Sequence, residues 1–522
     1  MAQVAPHRSE YPTSGNAQGS VADLALGIAS WLRSNQQPDG RIRDPLHGDC
    51  GTYAGGMAAL AFGLAFIHTG EASWAEACRL SARAARQRPL SSEFDQLALL
   101  LLALEERKAG MTIAGNEPVA LYLGRRLVSN NWVAMRALNY SLRAHLTGSK
   151  SDTREADRLW EKVLSWQTAD GLFIDSPGGE ATPVTYHAKF CAMLALAWTE
   201  TGRDSSAMAH ALRHGLDALY HLVSPSGMLV PYGRSRNTLF GYAAALLALR
   251  RGATLFQETR YAAASTLLEA RLTRFQRPDG HIPCVLNDGE AEKADWDVYV
   301  NNPDYNAYAA ALLLLAGDAV PAGPDPTDSG AVPRVQRVGP LLTIRAGGLF
   351  AAVVAEGQSV PLGTPFFCDH RYYALQPLWI ERDGAVLLEP ALYCWKGGED
   401  RSALVDPRAN PWVPYVEWRG ERYALRCCER VSVRQEGGIL EMVGEGLLVA
   451  YRPVPRWERG LRQVLLGRAG RPQPVFRAAV LPGVRLRRWL VLDCATGQIR
   501  AGAECLDALP GRALLRQKEP GV

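Results

Sequence analysis

The chain has 522 residues, of which 47% are hydrophobic and 21% are charged, and this is the composition of ordinary soluble globular proteins. A chain of this length is too long for one compact core, so we expect two or three domains. The formal net charge of +4 argues against a dedicated nucleic-acid-binding protein. Only seven of the 57 basic residues are Lys, so an anionic ligand would contact mainly Arg side chains.

The sequence shows no segment typical of membrane insertion or export. No run of about 18 apolar residues occurs, and residues 1–20 lack a basic region followed by an apolar one. The ten Cys are scattered without a CxxC pair, which favours reduced thiols over a disulfide framework or a zinc finger. We therefore expect a cytoplasmic protein without a membrane partner, or a secreted or periplasmic one if a signal was removed.

The first long region is predicted to be helical. After a flexible arm at residues 1–19, apolar residues recur with helical spacing from residue 20 to residue 317. Twelve segments follow this pattern: 20–35, 52–69, 73–86, 93–109, 117–128, 131–147, 154–167, 184–202, 205–222, 235–251, 257–275 and 302–317. Paired in order, they make six helical hairpins.

A recurring turn supports that pairing. It occurs at Gln37–Ile42, Thr168–Phe173, Ser224–Leu229 and Arg277–Ile282, and each copy turns on a Gly that supplies positive φ. The last three of these Gly residues lie 56 and 53 residues apart, which is about one hairpin. Repeated helix pairs bury their apolar faces only by stacking or by closing on themselves. We expect an (α/α)6 toroid with its loops at one mouth, with an open helical solenoid as the alternative.

A linker at residues 318–335 ends the helical region. Four Pro and three Gly lie within residues 317–333, and short β-branched and aromatic runs follow. Examples are Leu341–Arg345, Phe350–Val354, Tyr415–Arg419, Glu429–Arg434 and Arg488–Asp493. We predict about ten antiparallel strands in residues 336–522, arranged as a β-sandwich. The fold class is therefore α+β multidomain, with a toroid at 20–317 followed by the sandwich.

The stretch from Val230 to Tyr242 is the strongest candidate for a functional site. A phenol, two guanidiniums, a hydroxyl and an amide lie within Tyr232–Asn237, between a turn and an apolar helix. Polar residues concentrated at a loop-to-helix junction suggest a site, and Arg side chains beside a helix N-terminus suit an anion. The alternative is a surface turn with a helix cap.

Other loops carry reactive side chains as well. They are His47–Tyr53, Asn130–Trp132, Thr185–His187 after Asp170–Asp175, Asp295–Asp297, Tyr299, Asn301–Tyr305 and, in the β region, Cys368–Tyr373. Each has a structural alternative. Asn130 and Asn131 could cap a helix, and His187 could be a core histidine bonded to a backbone carbonyl. Trp132 and Tyr186 could be core residues, and His370 could link strands. No metal, Walker, GxGxxG or GxSxG motif occurs, so we expect no cofactor and no metal.

The order Asn, His, Tyr, Arg along a helical ring resembles the toroid-fold polysaccharide lyases. That group includes the chondroitin, hyaluronate and alginate lyases and the heparinase II/III-like enzymes. At the level of motifs the resemblance is confined to Asn130–Trp132, Tyr186–His187 and Tyr232–Asn237. It implies a carbon–oxygen lyase that cleaves a uronic-acid glycan by β-elimination in the cleft between toroid and β domain.

The family's chemistry explains why these residue types belong together. A base removes the proton at C5, next to the carboxylate, and the glycosidic oxygen at C4 leaves with a proton. Donors or cations must stabilise the enolate-like intermediate. Tyr, with a reference pKa of about 10, transfers protons poorly unless positive charge is near. Arg234 and Arg236 lie two and four residues from Tyr232.

The resemblance implies a role for each matching residue. Asn131 or Asn130 would hold the carboxylate, His187 would be the general base, and Tyr232 would be the acid, or the base for the other C5 epimer. Arg234 and Arg236 would bind carboxylates or sulfates. The remaining substrate-binding candidates are Trp132, Tyr186, Asn237, Tyr299, Tyr305, His370 and Arg371. In many of these lyases the Tyr follows the His closely, whereas Tyr232 lies 45 residues beyond His187, so Tyr186, Tyr299 and Tyr305 stay open as the phenol.

Three other readings remain. A toroid glycoside hydrolase, such as an unsaturated glucuronyl hydrolase, would use a carboxylic acid pair, with Asp170, Asp175, Asp297 and Asp304 available. A terpene cyclase ranks low because no DxDD run occurs. A non-catalytic glycan-binding protein would leave the polar loops of the helical region without a purpose. The partner in the leading hypothesis is an anionic polysaccharide or oligosaccharide, and the oligomeric state is open.

Overall fold

A computed structural model of the protein describes residues 20–87, 93–115, 129–177, 179–287, 301–317, 333–358, 372–390, 406–455, 458 and 476–517. These residues form eleven α-helices followed by twelve β-strands. The helices are α1 Val21–Ser34, α2 Ala54–Thr69, α3 Ala72–Arg86, α4 Glu93–Lys108, α5 Asn130–Thr147, α6 Lys150–Leu164, α7 Val184–Thr201, α8 Ser206–His221, α9 Leu239–Phe256, α10 Thr259–Phe275 and α11 Asn302–Ala316. The predicted arm at 1–19 and the predicted helix at 117–128 lie outside the described residues.

Six of the described helices form a closed inner ring. Contacts run in the order α2, α4, α5, α7, α9 and α11, and α11 packs against α2. The described helices α1, α3, α6, α8 and α10 lie outside this ring against their neighbours in the chain. Because the last inner helix meets the first, the toroid is confirmed and the open solenoid is wrong.

The sequence of each helix fits its layer. In α2 all residues from Ala54 to Ala65 are buried, because the helix is surrounded on every side. In α6 only Asp152, Ala156, Leu159, Trp160 and Val163 are buried, and this spacing follows one helix face. Apolar character around the whole circumference therefore marks an inner helix, and a single apolar stripe marks an outer one.

Helix α9 is also long and apolar enough to span a membrane. By length and composition it is the one such helix in the described residues, but 78% of the relevant window is buried inside the protein. Its position in the inner ring accounts for its composition, because a core helix of a globular protein passes the same test.

The two ends of the helical ring have different connections. Inner helices lead to outer ones through short turns, namely residues 70–71, 148–149, 202–205 and 257–258. The outer helices α1, α6 and α8 lead to the next inner helix through long loops, namely residues 35–53, 165–183 and 222–238, whereas only six residues join α3 to α4. We call the end with the long loops, where the inner helices begin, the mouth, and the opposite end the far end.

The recurring turns lie in these mouth loops and lock each hairpin to the next. At Gly40, Gly171, Gly227 and Gly280 φ lies between 74° and 98°. A Cβ on any of them would lie 2.0–2.5 Å from a carbonyl oxygen of the adjacent outer helix: Leu80, His214, Leu267 and Gly27, respectively. In three turns the preceding Gln also donates its amide to that helix, at Ala77, Ala211 and Leu24. The residues of these turns thus form the contacts between neighbouring helical hairpins.

The strands form two antiparallel sheets. They are β1 Arg334–Val338, β2 Leu341–Ala346, β3 Leu349–Val354, β4 Gln376–Arg382, β5 Ala385–Leu388, β6 Tyr415–Trp418, β7 Glu421–Leu425, β8 Arg430–Glu436, β9 Ile439–Pro453, β10 Phe476–Asp493, β11 Ile499–Cys505 and β12 Leu514–Arg516. The first sheet has the order β1-β2-β3-β4-β5, and the second has the order β11-β10-β9-β7-β6-β12, with β8 paired to β9.

The first sheet lies between the helices and the second sheet. Phe350 and Trp379 belong to the helical core, whereas Ile344 and Ala351 pack with Leu490 of the second sheet. Strand β3 is therefore buried at every position, because both of its faces are covered. The two sheets form the predicted sandwich, and the α+β multidomain class is confirmed. The domain boundaries 1–19, 20–317, 318–335 and 336–522 stay a prediction.

Candidate active site

Each inner helix described in the structure contributes an aromatic side chain at the mouth. We call this set the aromatic collar: Tyr53, Phe94, Trp132, Tyr186, Phe240, Tyr305 and Tyr308. Ring centroids of neighbours are close, at 5.6 Å for Phe94 and Trp132 and 5.1 Å for Phe240 and Tyr305. The collar is the structural signature of this end of the toroid.

Contacts between helices that are not neighbours place the collar at the axis of the ring. Phe94 on α4 meets Tyr308 on α11 at 5.8 Å, although α2 stands between those helices. Tyr53 likewise meets Trp132 on α5 at 6.3 Å. Tyr53, Phe94 and Trp132 are half-buried, so the collar reaches solvent on the side of α2, α4 and α5. Aromatic walls with a few placed polar groups are typical of small-molecule sites.

The inner helices begin beside one another at this collar. Asp304 on α11 accepts hydrogen bonds from the amides of Thr52 and Tyr53, and Asp95 on α4 accepts one from Gly56. Burial raises the pKa of Asp304 to about 6. Because the N-terminal end of a helix carries partial positive charge, converging inner helices favour anionic groups at the mouth.

A buried polar network lies under the collar. The side-chain amide of Asn131 donates to Asp175 Oδ1 at 2.6 Å and to Ser129 Oγ at 2.7 Å. Nε and Nη2 of Arg234 both donate to Asp175 Oδ2. The network joins the start of α5 to the loops after α6 and α8, so three hairpins share it.

Lys189 on α7 extends this network into the lumen. Its Nζ donates to Asn131 Oδ1 at 2.9 Å and lies 4.4 Å from the ring centroid of Phe94, across the helical ring. The residue is 2% exposed, and burial lowers its pKa to about 7. Sequence reasoning missed Lys189. The available signal was a Lys inside an apolar helix of a chain that otherwise uses Arg.

Within the aromatic collar, Tyr186 lies beside a cation. The guanidinium of Arg234 lies 3.9 Å from its ring centroid, and its hydroxyl is 3.2 Å from Ser235 Oγ. Its ring also meets Phe240 at 5.6 Å, which makes it a member of the collar. The sequence-based spacing had paired Arg234 with Tyr232 instead.

The loop that carries Arg234 is held in an unusual backbone conformation. Ser235 and Asn237 have φ of 56° and 58°, a region that costs non-Gly residues free energy. The carbonyl of Ser235 accepts bonds from the hydroxyls of Thr185 and Thr238, and the amide of Arg234 donates to Tyr372 Oη at 3.0 Å. Contacts from α7, α9 and the β domain therefore hold the loop.

His187 does not have the geometry of a general base. It is fully buried, its Nδ1 accepts from the amide of Phe173, and its Nε2 donates to the carbonyl of Gly215 at 2.9 Å. Burial lowers its pKa to about 4, so the ring is neutral with both nitrogens engaged. This geometry fits the core-histidine alternative, and we assign His187 to the scaffold.

Tyr232 and Asn131 also differ from the roles that the resemblance implies. Tyr232 is fully buried, and its ring packs edge-on against Tyr372 at 5.3 Å, between the toroid and the first sheet. Both amide hydrogens of Asn131 are used by Ser129 and Asp175, so this side chain orients the network rather than holding a carboxylate.

The remaining predicted residues fall into three groups. Asn130 is buried and donates to the carbonyl of Ile174, and Trp132 and Tyr305 belong to the collar. Arg236 and Asn237 are buried in the loop after α8, where Asn237 donates to Asn287 Oδ1 at 3.0 Å. Tyr299, His370 and Arg371, together with Asp297, lie outside the described residues. Within the described chain, no group of three His, Cys, Asp or Glu side chains could hold a metal ion.

Comparisons with known proteins return similar folds only. No protein-family model matches the chain, and no curated protein matches it significantly. A possible member of the GH105 family from Salmonella enterica shares 14% identity and a TM-score of 0.42, over 60% of this chain and 98% of that one. A family 88 glycosyl hydrolase from Bacteroides vulgatus shares 11% identity and a TM-score of 0.42, over 56% and 99%.

A solved polysaccharide lyase is similar at the same level. It shares 14% identity and a TM-score of 0.40, over 57% of this chain and 96% of that one. At these values the likeness carries no argument about what this chain binds or which reaction it catalyses. Function is therefore inferred from the site itself.

Proposed function

We propose that this protein is a polysaccharide lyase that cleaves a uronic-acid-containing glycan by β-elimination at the aromatic collar. The position of Tyr186 carries the proposal. Its phenol lies in the collar, beneath the guanidinium of Arg234 at 3.9 Å and beside Ser235 Oγ at 3.2 Å. The reaction needs a phenol held beside donors and cations, and the guanidinium of Arg234, which is also paired with Asp175, lies against the ring of Tyr186.

One phenol can both remove the proton at C5 and donate it to the leaving oxygen. The Tyr186 phenolate takes the C5 proton, and the C–H electron pair forms the C4=C5 double bond. The C4–O bond breaks, and the leaving oxygen receives the same proton from Tyr186. The products are a sugar with a free hydroxyl and an unsaturated uronate, and the phenolate is restored. Negative charge that develops on the substrate carboxylate is stabilised by nearby donors and cations.

Several features of the mouth support an anionic sugar as the substrate. The collar offers flat apolar faces that suit the C–H faces of pyranose rings. The inner helix N-termini supply partial positive charge at the same end of the ring, where the buried Lys189 also lies. The bond from the Arg234 amide to Tyr372 Oη places the loop against the β domain, as expected for a cleft between the two domains.

The test is an ultraviolet absorbance screen for conjugated alkenes. The panel is alginate, hyaluronan, chondroitin, heparosan, pectate, glucuronan and ulvan, with oligomers of each. We expect a rising signal on at least one polymer and a loss on the order of 10²- to 10⁴-fold in Tyr186→Phe, the usual contribution of a proton-transfer group. Tyr140 provides the matched control, since it also lies under an Arg, with Arg143 at 5.7 Å, but outside the collar.

Tyr140→Phe should keep full activity, and so should Tyr232→Phe if its role is structural. A rising signal that survives Tyr186→Phe would reassign the phenol. No signal on any substrate would contradict the lyase and favour a glycan-binding protein, which would show saturable binding without turnover.

A glycoside hydrolase is the second candidate, because Asp304 has the property of a general acid. Burial raises its pKa to about 6, so the carboxyl stays partly protonated near neutral pH. Against this reading, both of its oxygens accept bonds from Thr52 and Tyr53, which makes Asp304 a cap for α2. A falling alkene signal on unsaturated oligomers, lost in Asp304→Asn but kept in Tyr186→Phe, would establish the hydrolase.

A further inference from the structure

The cation Lys189 is buried in the lumen without an anion of its own. Its Nζ can donate three hydrogen bonds, and among the described residues it makes one, to the neutral oxygen of Asn131 at 2.9 Å. The side chain is 98% hidden from solvent and points across the lumen to Phe94. A buried ammonium is unfavourable unless it is paired, so this position requires an explanation beyond stability.

The two carboxylates that act on Lys189 are each paired with an Arg. Asp175, in the loop after α6, is held by two nitrogens of Arg234 from the loop after α8. Glu93 on α4 pairs with Arg136 on α5. Asp95 on α4 and Asp304 on α11 each accept amides at the start of α2. His187, on the same helix as Lys189, is bonded to the backbone. Asp175 and Glu93 attract the ammonium, but each is paired with an Arg, so Lys189 makes no ion pair of its own among the described residues.

We propose that Lys189 is the charge partner of the substrate's carboxylate, so that the lumen binds a uronate sugar together with one proton. This inference rests on the proposed function and names the group that selects the substrate class. In the free protein, burial opposes the ammonium form of Lys189 and lowers its pKa. A carboxylate that enters the collar makes the ammonium favourable, and the bound pair is neutral overall.

The residue type supports this role. The chain uses Arg for 50 of its 57 basic residues, yet Lys stands at the buried position. Arg remains protonated at every accessible pH, whereas a buried Lys can lose its proton. Burial lowers the pKa of Lys189 to about 7, which is the range in which a bound anion changes its protonation.

Calorimetric titration of the whole protein with D-glucuronate tests the proposal. The measurement is repeated in buffers of different ionisation enthalpy, which gives the number of protons bound with each ligand. Because burial lowers the pKa of Lys189 to about 7, we expect a larger proton uptake per bound ligand at pH 8 than at pH 6. D-glucose, which has no carboxylate, should show no proton uptake. Absence of glucuronate binding, or binding without proton uptake at pH 8, would overturn the proposal.

Variants assign the proton to this side chain. Lys189→Met should abolish the uptake and weaken glucuronate binding at least tenfold, while Lys189→Arg should bind without uptake. Lys162→Met is the matched control, because Lys162 also lies over an aromatic ring, that of Trp166 at 5.5 Å, but on the exposed side of α6. Uptake that persists in Lys189→Met would show that another group, such as Asp304, takes the proton.

A second measurement uses only the wild-type protein, so its result does not depend on how well the variants fold. Lysine-selective ¹³C NMR of the wild-type protein follows the Lys189 methylene through pH 5.5 to 9.5 with and without glucuronate. We expect its midpoint to move upward by at least one pH unit on binding, and an unchanged midpoint would contradict the proposal. The absorbance screen separates the two claims: elimination without proton uptake overturns only the role of Lys189, whereas uptake without elimination overturns the lyase and leaves a uronate-binding site.

Discussion

The two ends of the helical ring are built from the same hairpins but differ in how their buried charged side chains are paired. At the far end Glu200 on α7 forms ion pairs with both Lys108 on α4 and Arg251 on α9, and Asp152 on α6 forms one with Arg143 on α5. The mouth also has an ion pair, between Arg234 and Asp175, but there Lys189 has a neutral amide as its one hydrogen-bond partner among the described residues. The far end thus shows what stability alone requires, namely a short turn and a matched pair.

This difference favours the mouth as the functional end. Far-end turns such as Gly148-Ser149 contain two residues, with the Gly in the left-handed region at φ 71° and open space around it. The mouth loops are long, and they carry strained residues such as Ser235 and buried polar side chains. Features that cost folding free energy and gather at one end are typical of a site rather than of a scaffold.

The ion pairs offer the largest test of this comparison. Arg234→Met should lower the free energy of unfolding by about 3–5 kcal/mol, because it leaves Asp175 buried without a counter-charge. Arg143→Met at the far end should cost about 1 kcal/mol, since that Arg side chain is 27% exposed and water screens the pair. Urea unfolding measures both free energies, and equal losses would contradict the proposed difference between the two ends.

The turn glycines give the next largest effect. Gly280→Ala places a Cβ 2.2 Å from the carbonyl oxygen of Gly27 at a φ of 98°, so we expect a loss of about 2–4 kcal/mol. Gly148→Ala at the far end meets no atom within 4 Å and should cost about 1 kcal/mol. Thermal unfolding at fixed pH compares them, and a tolerated Gly280→Ala would mean that the mouth turns do not lock the repeats together.

The pH dependence of stability isolates Lys189. Because the pKa of the folded protein, about 7, lies below that of the unfolded chain, the unfolded chain binds more protons between these values. Stability of the wild type therefore rises with pH from about 7 towards 10, and Lys189→Met lacks this contribution. We expect the stability advantage of Lys189→Met to shrink by about 2 kcal/mol between pH 7 and pH 9. A constant difference in urea unfolding across this range would show that the folded protein keeps the ammonium charged.

The smallest effect concerns the Gln residues before the turns. Gln276→Ala removes the amide that donates to the carbonyls of Leu24 and Gly280, so the free energy of unfolding should fall by about 1–2 kcal/mol. Gln257→Ala at the far end removes an exposed bond to Thr254 and should cost less than about 0.5 kcal/mol. The reverse order in the two unfolding curves would contradict the distinction between the ends.

One turn shows where local patterns stop being informative. At Ser224–Gly227 the preceding residue is Val223, and no Gln anchors the turn. Glu381 on β4 holds it instead, by accepting bonds from both Ser hydroxyls and from the Ser226 amide at 2.8 Å. The sequence predicted this turn correctly, but its partner lies in another domain.

The candidate site was predicted only in part for the same reason. Asn130–Trp132, Tyr186 and Arg234 were singled out, and the structure brings them together. Spacing along the chain suggested that Arg234 lies near Tyr232. In the structure Arg234 contacts Tyr186, which belongs to a different hairpin. Lys189 was missed because apolar periodicity hides a single charge inside a helix. The roles in catalysis stay predictions.

The sequence by itself determined the repeats: helical periodicity, turn glycines and the change to β-branched runs are local signals, and they predicted the toroid and the sandwich. Only the tertiary structure decided which side chains meet at the axis of the ring. Contacts such as Phe94 with Tyr308, or Lys189 with Phe94, join helices that are far apart in the chain. Their cause is the closure of the ring, which brings into one lumen side chains that no local pattern relates.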